Sequence, residues 1–439
     1  VFWISKSIHL LTRLRRRLLV FLAVLGPGII VMVADNDAGG ISTYAVTGSK
    51  YGFSLLWLFF LLVPMAYFVQ EMAVRLGAVT KRGQAEVVFE GFGPFWGWFS
   101  IVDLAIINWL TLVTEYIGMT AAMQMMGVPP WITYLGVTAI LMAVVMSGKY
   151  WTFEKLTLFF CIFNLVYVPA AFWAMKTPTA PSWGEAFRGF YAPEFPGGIT
   201  AALVFVILAN VGTTITPWQV YFQQSAVVDK GMDIHDIRFG KWDTFAGATL
   251  TCLVAVFIII TTSAALFYHR PPIVIEDAAQ TASALEPLLP AGEGALARKL
   301  FAIGLFDAGF LGALCISLAT SWSVGEVFGW AHSLNRSVKD APWFYVFYLA
   351  ILLTSGAVVL IPGAPLIEIT MYVQVVAVTL LPCTLIFSLI LLNDPQFMGE
   401  HVNTRWENIA NAAIIAFVIL MSTLLAITTL FPGLLNPDF

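Results

Sequence analysis

Long apolar runs separated by short polar stretches dominate the chain. A helix needs about 20 mostly apolar residues to span a bilayer. The pattern predicts eleven such spans, at 18–48, 54–74, 95–126, 131–147, 156–174, 198–228, 244–268, 300–330, 343–361, 365–392 and 409–430. The connections leave no room for a soluble domain. The longest are 176–197 and 269–299, the second acidic and rich in Ala and Pro, as an external loop would be. One integral membrane unit over 1–439 follows. It comprises a flank at 1–17, a first group of spans at 18–174, a second at 198–392 and an extra helix at 409–430.

Two spans are interrupted near their middles. Span 1 holds Ala34-Asp35-Asn36-Asp37-Ala38-Gly39-Gly40. Adjacent glycines are poor helix formers and predict an unwound break there. Span 6 holds Asn210-Val211-Gly212-Thr213-Thr214-Ile215-Thr216-Pro217-Trp218. Pro217 cannot donate a helical hydrogen bond and clashes with the preceding turn. Freed carbonyls at bilayer depth must be satisfied or line a cavity. Breaks five spans apart are the pattern of a five-plus-five inverted repeat with binding at the midplane. No fixed-period sequence repeat is visible, so this expectation rests on position. Asp35 and Asp37 strengthen it, because a carboxylate at the bilayer centre costs at least roughly 2.5–3.5 kcal/mol and usually has a function. Carboxylate and freed carbonyls together suit a hard cation.

Composition agrees. Hydrophobic residues make up 59% and charged residues 11% of the chain, and the mean hydropathy is +0.85. Soluble proteins carry about a quarter charged residues, so a soluble enzyme is excluded. The net charge of −4 offers no field for nucleic acid. Cys161, Cys252, Cys315 and Cys383 lie in apolar runs without a CxxC and read as inert thiols. The chain opens on Val1, so the native start is expected upstream. Lys6, Arg13, Arg15, Arg16 and Arg17 before an apolar run resemble a signal peptide, but no small-residue cleavage pattern follows. They read as a cytoplasmic flank. With the N-terminus inside, 16 of the 22 basic residues fall on inner flanks. The outer six are Lys50, Lys176, Arg188, Arg270, Arg298 and Lys299. This asymmetry predicts a multi-pass cell-membrane protein with its C-terminus outside.

Several stretches resemble the NRAMP divalent-metal transporters. These are Gly26-Pro27-Gly28, Asp37-Ala38-Gly39-Gly40, Gly52 and Leu55-Leu56-Trp57 around span 1, and Arg75-Leu76-Gly77-Ala78-Val79-Thr80 with Ala85-Glu86 after span 2. Thr114-Glu115-Tyr116-Ile117-Gly118, Thr216-Pro217-Trp218, and Gln374-Val375-Val376 with Leu381-Pro382 continue the match in order. The resemblance implies an all-α membrane protein with the LeuT-like fold, broken helices 1 and 6 and, as in some members, an eleventh helix. It also implies a metal site of Asp37, Gly40, Thr213 (through its carbonyl), Thr216 and Gln374. Spans 1, 2, 6 and 7 would rock against spans 3, 4, 8 and 9. A monomer in the bilayer is expected, with a divalent ion as substrate and no resident cofactor.

The departures from the family pattern are chemically readable. The family's Asp-Pro-Gly-Asn is Asp37-Ala38-Gly39-Gly40 here, and its span 6 methionine is Thr216. Losing a thioether removes the bias toward soft metals. Losing the asparagine at Gly40 leaves room for a partly hydrated Mg²⁺, which dehydrates reluctantly; Mn²⁺ suits the same ligands. The chain is therefore similar to the NRAMP-related magnesium transporters. Two family histidines are replaced by Trp218 and Gln223, an acid by Leu112, and no Lys or Arg occurs between Lys339 and Arg405. Of the family's proton route only Glu115 remains, so uniport without proton coupling is expected. The alternative is an ordinary proton-coupled Mn²⁺/Fe²⁺ transporter. A sodium-coupled amino-acid carrier fits the span 1 carboxylate poorly. An enzyme is not expected, because no catalytic constellation occurs in the spans.

The remaining polar residues have two readings each. Glu115 is either a proton-route remnant or vestibule residue, or a structural carboxyl. Asp35 and Asn36 either contact waters of a hydrated ion or serve structure. Asp103 and Asn108 either sit near an interface or pack between helices, and Asp307 and Glu326 either line an aqueous path or bond between helices, the second being favoured in each case. Glu368 complements a helix N-terminus. The aromatics have packing and interfacial roles, and the five histidines do not cluster.

Overall fold

The computed structural model describes residues 26–195, 198, 200–269, 271–276, 280–281 and 293–430. The expected basic flank at 1–17, the opening of span 1 at 18–25, and Arg270 with residues 277–279 and 282–292 of the 269–299 connection lie outside the described residues. Among the described residues the regular structure is helical throughout.

Span 1 is two half-helices, α1 (Pro27–Ala34) and α2 (Ala38–Tyr51). Pro27 sits in the first turn of α1, where its missing N–H is not needed. The break falls at Asp35–Asp37, and Gly39 and Gly40 lie within the first turn of α2. This corrects the expected unwinding at the glycines. Asp37 is extended (φ −75°, ψ 178°) and caps α2, its side chain accepting from the Gly40 N–H at 2.6 Å. A carboxylate cap satisfies an orphan donor and restarts the helix where glycine propensity alone would not.

The chain continues through α3 (Leu56–Thr80), α4 (Gln84–Gln124), α5 (Pro130–Val145) and α6 (Tyr150–Cys161), which passes by a 3₁₀ turn into α7 (Tyr167–Ala174). α4 bends at Gly93 (φ 82°), just before Pro94, so the helix begins well before the expected 95–126. A short α8 (Trp183–Arg188) lies in the connection. Span 6 is again two half-helices, α9 (Ala201–Thr214) and α10 (Pro217–Lys230), separated by extended Ile215 and Thr216. Then come α11 (Ile237–Thr262), which ends in a π turn, α12 (Glu293–Phe328), α13 (Pro342–Gly356), α14 (Leu366–Leu392), the short α15 (Pro395–Met398) and α16 (Arg405–Leu430). Nine helices among the described residues are long and apolar enough to cross a membrane. The 16-residue α5 and the divided span 1 complete the eleven expected.

α12 packs along α4, α11 lies against α1, α2 and α3, and α9 lies against α14. Polar side chains join these elements where lipid could not satisfy them. Asn108 donates to the Thr320 hydroxyl at 2.8 Å, and Asn164 donates to Asp307 at 3.3 Å. Glu326 accepts from the Ala85 N–H (3.1 Å) and the Ser225 hydroxyl (2.7 Å). The interhelical reading therefore holds for Asn108, Asp307 and Glu326, while Asp103 is half-buried. Arg75 pairs with Glu71 (3.0 Å) and Glu407 (3.3 Å), and Lys241 pairs with Glu71 (2.8 Å), which fastens α16 to α3 and α11. Cys161, Cys252 and Cys315 are buried free thiols, and Cys383 is half-buried.

One buried carboxylate sets the position of α1. Asp243 on α11 accepts from the backbone N–H groups of Gly26 (3.1 Å), Gly28 (2.7 Å) and Ile29 (3.3 Å). Negative charge at a helix N-terminus is favourable. Beside it, Lys230 at the end of α10 pairs with Glu154 of α6. Asp243→Ala should cost about 1–3 kcal/mol through the unpaired N–H groups. A lowered Tm in detergent, with a smaller loss for Asp243→Asn, is the expected reading.

Candidate metal centre

The two breaks meet. Thr213 lies in the last turn of α9, and the residue four positions on is Pro217, which has no N–H to donate. Its carbonyl therefore lacks a helical partner, for a reason written in the local sequence. A methyl group built on Gly40 would lie 2.8 Å from Thr213 Oγ1, 3.0 Å from the Asp35 carbonyl oxygen and 3.3 Å from Asp37 Oδ1. Gly40 is thus a point of close approach, where even a methyl would press on those oxygens, and not the roomy position expected from the sequence. On the neighbouring residue, a methyl at Gly39 would lie 2.0 Å from Gln374 Nε2, so the α14 amide rests directly on the first turn of α2.

The polar atoms here are poorly partnered. Thr213 Oγ1, both amide atoms of Gln374 and Asp35 Oδ2 are buried without a hydrogen-bond partner. Buried polar atoms are ordinarily paired, so a convergent set without partners suits a cation and its waters. All five expected site residues, Asp37, Gly40, Thr213, Thr216 and Gln374, belong to the two breaks or to the α14 helix packed on them. Asn36 turns elsewhere, donating to the Thr251 carbonyl at 3.3 Å.

Glu115 is closer to the centre than its sequence context alone indicates. Its Oε2 accepts from the Ala38 N–H at 3.0 Å, the first amide of α2. Its carboxyl lies against that of Asp37. A methyl at Gly312 of α12 would touch Glu115 Cδ (2.9 Å) and Asp37 Cβ (3.0 Å) alike. Both readings of Glu115 meet here, because it caps a half-helix and adds a second acid to the centre. Among the described residues no ion pair reaches Asp35, Asp37 or Glu115. Adjacent buried acids without a basic partner are costly unless a cation joins them. Among the described residues no three His, Cys, Asp or Glu side chains form a closed metal cage. The remaining oxygens at the centre are neutral.

Access differs at the two ends. At the Tyr51 end of α2, a cavity of about 390 Å³ is lined by residues including Lys50, Tyr51, Phe205, Glu368, Met371 and Tyr372. Met371 stands one turn before Gln374, and Glu368 occupies the first turn of α14 as expected. At the other end, Trp218, Phe222 and Trp322 are fully buried, with Phe222 and Trp322 ring centroids 5.6 Å apart. Composition alone assigns aromatics to packing. Trp218, directly after Thr216-Pro217, is one of these fully buried rings.

Comparison with known proteins agrees with this architecture. The family model described as "Nramp: Natural resistance-associated macrophage protein-like" matches residues 28–428. A "Divalent metal cation transporter MntH" of Caldanaerobacter subterraneus subsp. tengcongensis is 25% identical over 420 residues, covering 93% of this chain and 94% of that protein. A protein of the same name from Listeria monocytogenes is 26% identical over 417 residues, covering 93% and 90%. A crystal structure of the Eremococcus coleocola manganese transporter, bound to an aromatic bis-isothiourea compound, aligns with TM-score 0.78 at 18% identity, covering 95% of this chain and 89% of that one. MhsT in complex with L-phenylalanine aligns with TM-score 0.61 at 13% identity, covering 91% and 98%. At these identities the structures establish the shared fold.

Gly40 gives the sharpest test of the geometry. Gly40→Ala should push Thr213 and the Asp35 carbonyl away from Asp37. The expected result is a rise of about tenfold or more in half-saturation for divalent ions, the scale of substitutions around a metal. Unchanged half-saturation would remove Gly40 from the centre.

Proposed function

The chain belongs to the Nramp family of membrane transporters, and from that premise we propose that it carries Mg²⁺, and Mn²⁺ as well, across the cell membrane without coupled protons. The observation that carries this reading is the oxygen-rich set at the two breaks: the Thr213 hydroxyl and the Asp35 carbonyl beside Asp37 at Gly40, and the unpartnered Gln374 amide against Gly39, with no thioether or imidazole among them. Hard oxygen ligands favour Mg²⁺ and Mn²⁺ over softer ions. The bare backbone at Gly40 lets Thr213 and the Asp35 carbonyl approach Asp37 closely. Asp37 is the anchor, with Thr213, Thr216 and Gln374 completing the shell and Glu115 supplying nearby negative charge.

Transport proceeds by alternating access. The bundle of α1, α2, α3, α9, α10 and α11 rocks against α4, α5, α12 and α13, exposing the centre first through the α2–α14 cavity and then past Trp218 and Phe222. A dication moving inward gains about 4.6 kcal/mol per 100 mV of membrane potential, two charges at about 2.3 each. That drives uptake without protons. Trp218, Gln223 and Leu112 cannot titrate, so they provide no proton relay beyond Glu115. The second reading is proton-coupled Mn²⁺ transport. It is favoured by the Glu115–Asp37 contact, which places two acids side by side.

Proteoliposomes with a Mg²⁺-sensitive dye, a parallel pH dye and an imposed inside-negative potential separate the two. The expected outcome is Mg²⁺ entry with no proton movement. Exclusion of Mg²⁺ together with proton-linked Mn²⁺ entry would establish the second reading instead. Asp37→Ala should abolish uptake of every divalent ion, and wild-type rates would remove Asp37 from the site. Thr216→Met combined with Gly40→Asn should raise Cd²⁺ uptake relative to Mg²⁺; an unchanged ratio would contradict the ligand assignment.

A further inference from the structure

Asp35 lies in the break of span 1, fully buried, and is joined to the break of span 6 by one side chain. Gln219 in the first turn of α10 donates through Nε2 to Asp35 Oδ1. The same glutamine accepts through Oε1 from the Thr216 N–H at 3.1 Å and from Gln70 Nε2 of α3 at 3.2 Å. The other Asp35 oxygen has no partner, and the backbone carbonyl of Asp35 lies close against Gly40. Asp35, Gln70 and Gln219 are all fully buried.

An amide has two faces, and here each has a fixed task. Asp35 holds the donor face of Gln219, which leaves only the acceptor face for Thr216 and Gln70. With Asp35 removed, the buried NH₂ loses its acceptor, which weakens the placement of the amide whose oxygen holds the Thr216 N–H. We infer that Asp35 is a positioning residue for the transported ion: through the orientation of Gln219 it fixes Thr216, and so couples the two helix breaks into one binding unit. The inference rests on the transport reading above and adds to it a residue that lies behind the ligand set.

The test uses the full chain in proteoliposomes, with Mg²⁺ and Mn²⁺ uptake measured as separate KM and maximal-rate values. Asp35→Ala and Gln219→Ala should each raise KM by about tenfold or more, the scale of residues that orient metal ligands. The double variant should be no worse than either single one, since both remove the same link. Asp35→Asn keeps an acceptor oxygen for Gln219 and should stay within about threefold of wild type, the rescue that separates positioning from bulk structure. Gln219→Glu provides an independent pair if the alanine variants fail to fold. Set against intact Asp35 it places two carboxylates together and should raise KM. Adding Asp35→Asn, whose amide donates to the new carboxylate, should restore it. Additive alanine effects, an unchanged KM, or no recovery in the Gln219→Glu pair would overturn the inference while leaving the transport reading intact. Absence of wild-type uptake of both ions would overturn the two together.

Discussion

A helix interrupted at bilayer depth leaves backbone groups that lipid cannot satisfy, and the arrangement of this molecule follows from how two such interruptions are accommodated. At the first, Asp37 caps α2 with its side chain, and Glu115 of α4 accepts the next exposed amide from Ala38. At the second, Gln219 accepts the Thr216 N–H, while Pro217 deprives the Thr213 carbonyl of its helical donor. These backbone donors are satisfied, and oxygens are left over. An excess of oxygen lone pairs, gathered around a glycine without a side chain, is the electrostatic opposite of a sealed core. It favours a cation.

The acids and bases of the spans are segregated accordingly. Asp35, Asp37 and Glu115 sit together without a basic partner among the described residues. Basic side chains instead pair near helix ends, Arg75 and Lys241 with Glu71 and Glu407, and Lys230 with Glu154. Those pairs tie α3, α10, α11 and α16 to their neighbours and leave the charge at the breaks uncompensated. Under the proposed function this division is necessary. A lysine or arginine beside Asp37 would neutralise the anchor and compete with the ion for it. The same segregation separates mechanical fastening from ion binding, so α1 can be held by Asp243 without drawing on the carboxylates at the centre.

The twofold pattern of broken helices also explains why small residues recur around the centre. Gly40 lets Thr213 and the Asp35 carbonyl approach Asp37, Gly39 lets Gln374 rest on α2, and Gly312 lets α12 approach Asp37 and Glu115 together. Side chains at those points would separate the elements whose oxygens must converge. The aromatic layer of Trp218, Phe222 and Trp322 does the reverse, filling one approach with bulk where the α2–α14 side stays open. Asymmetric packing of this kind is what an alternating-access cycle exchanges between its two sides.

Much of this was legible along the chain, because spans and breaks are written in local chemistry. Apolar runs of bilayer length mark the helices, Pro217 marks a lost hydrogen bond, and Asp37 within an apolar run marks a site. Local propensity was misleading at Gly39 and Gly40, where a capping carboxylate outweighs the poor helix tendency of glycine and moves the break to Asp35–Asp37. Other features had no one-dimensional signal at all. The contact of Glu115 with Asp37, the amide of Gln374 on Gly39, the Asp243 cap on α1 and the Asp35–Gln219 link join residues about 80 to over 300 positions apart. Sequence determines which helices form and where their backbones must open, since hydrogen bonding and hydrophobicity act between near neighbours. Which side chains meet at those openings depends on how each helix is rotated and crossed against the others, and only close packing of the whole bundle decides that.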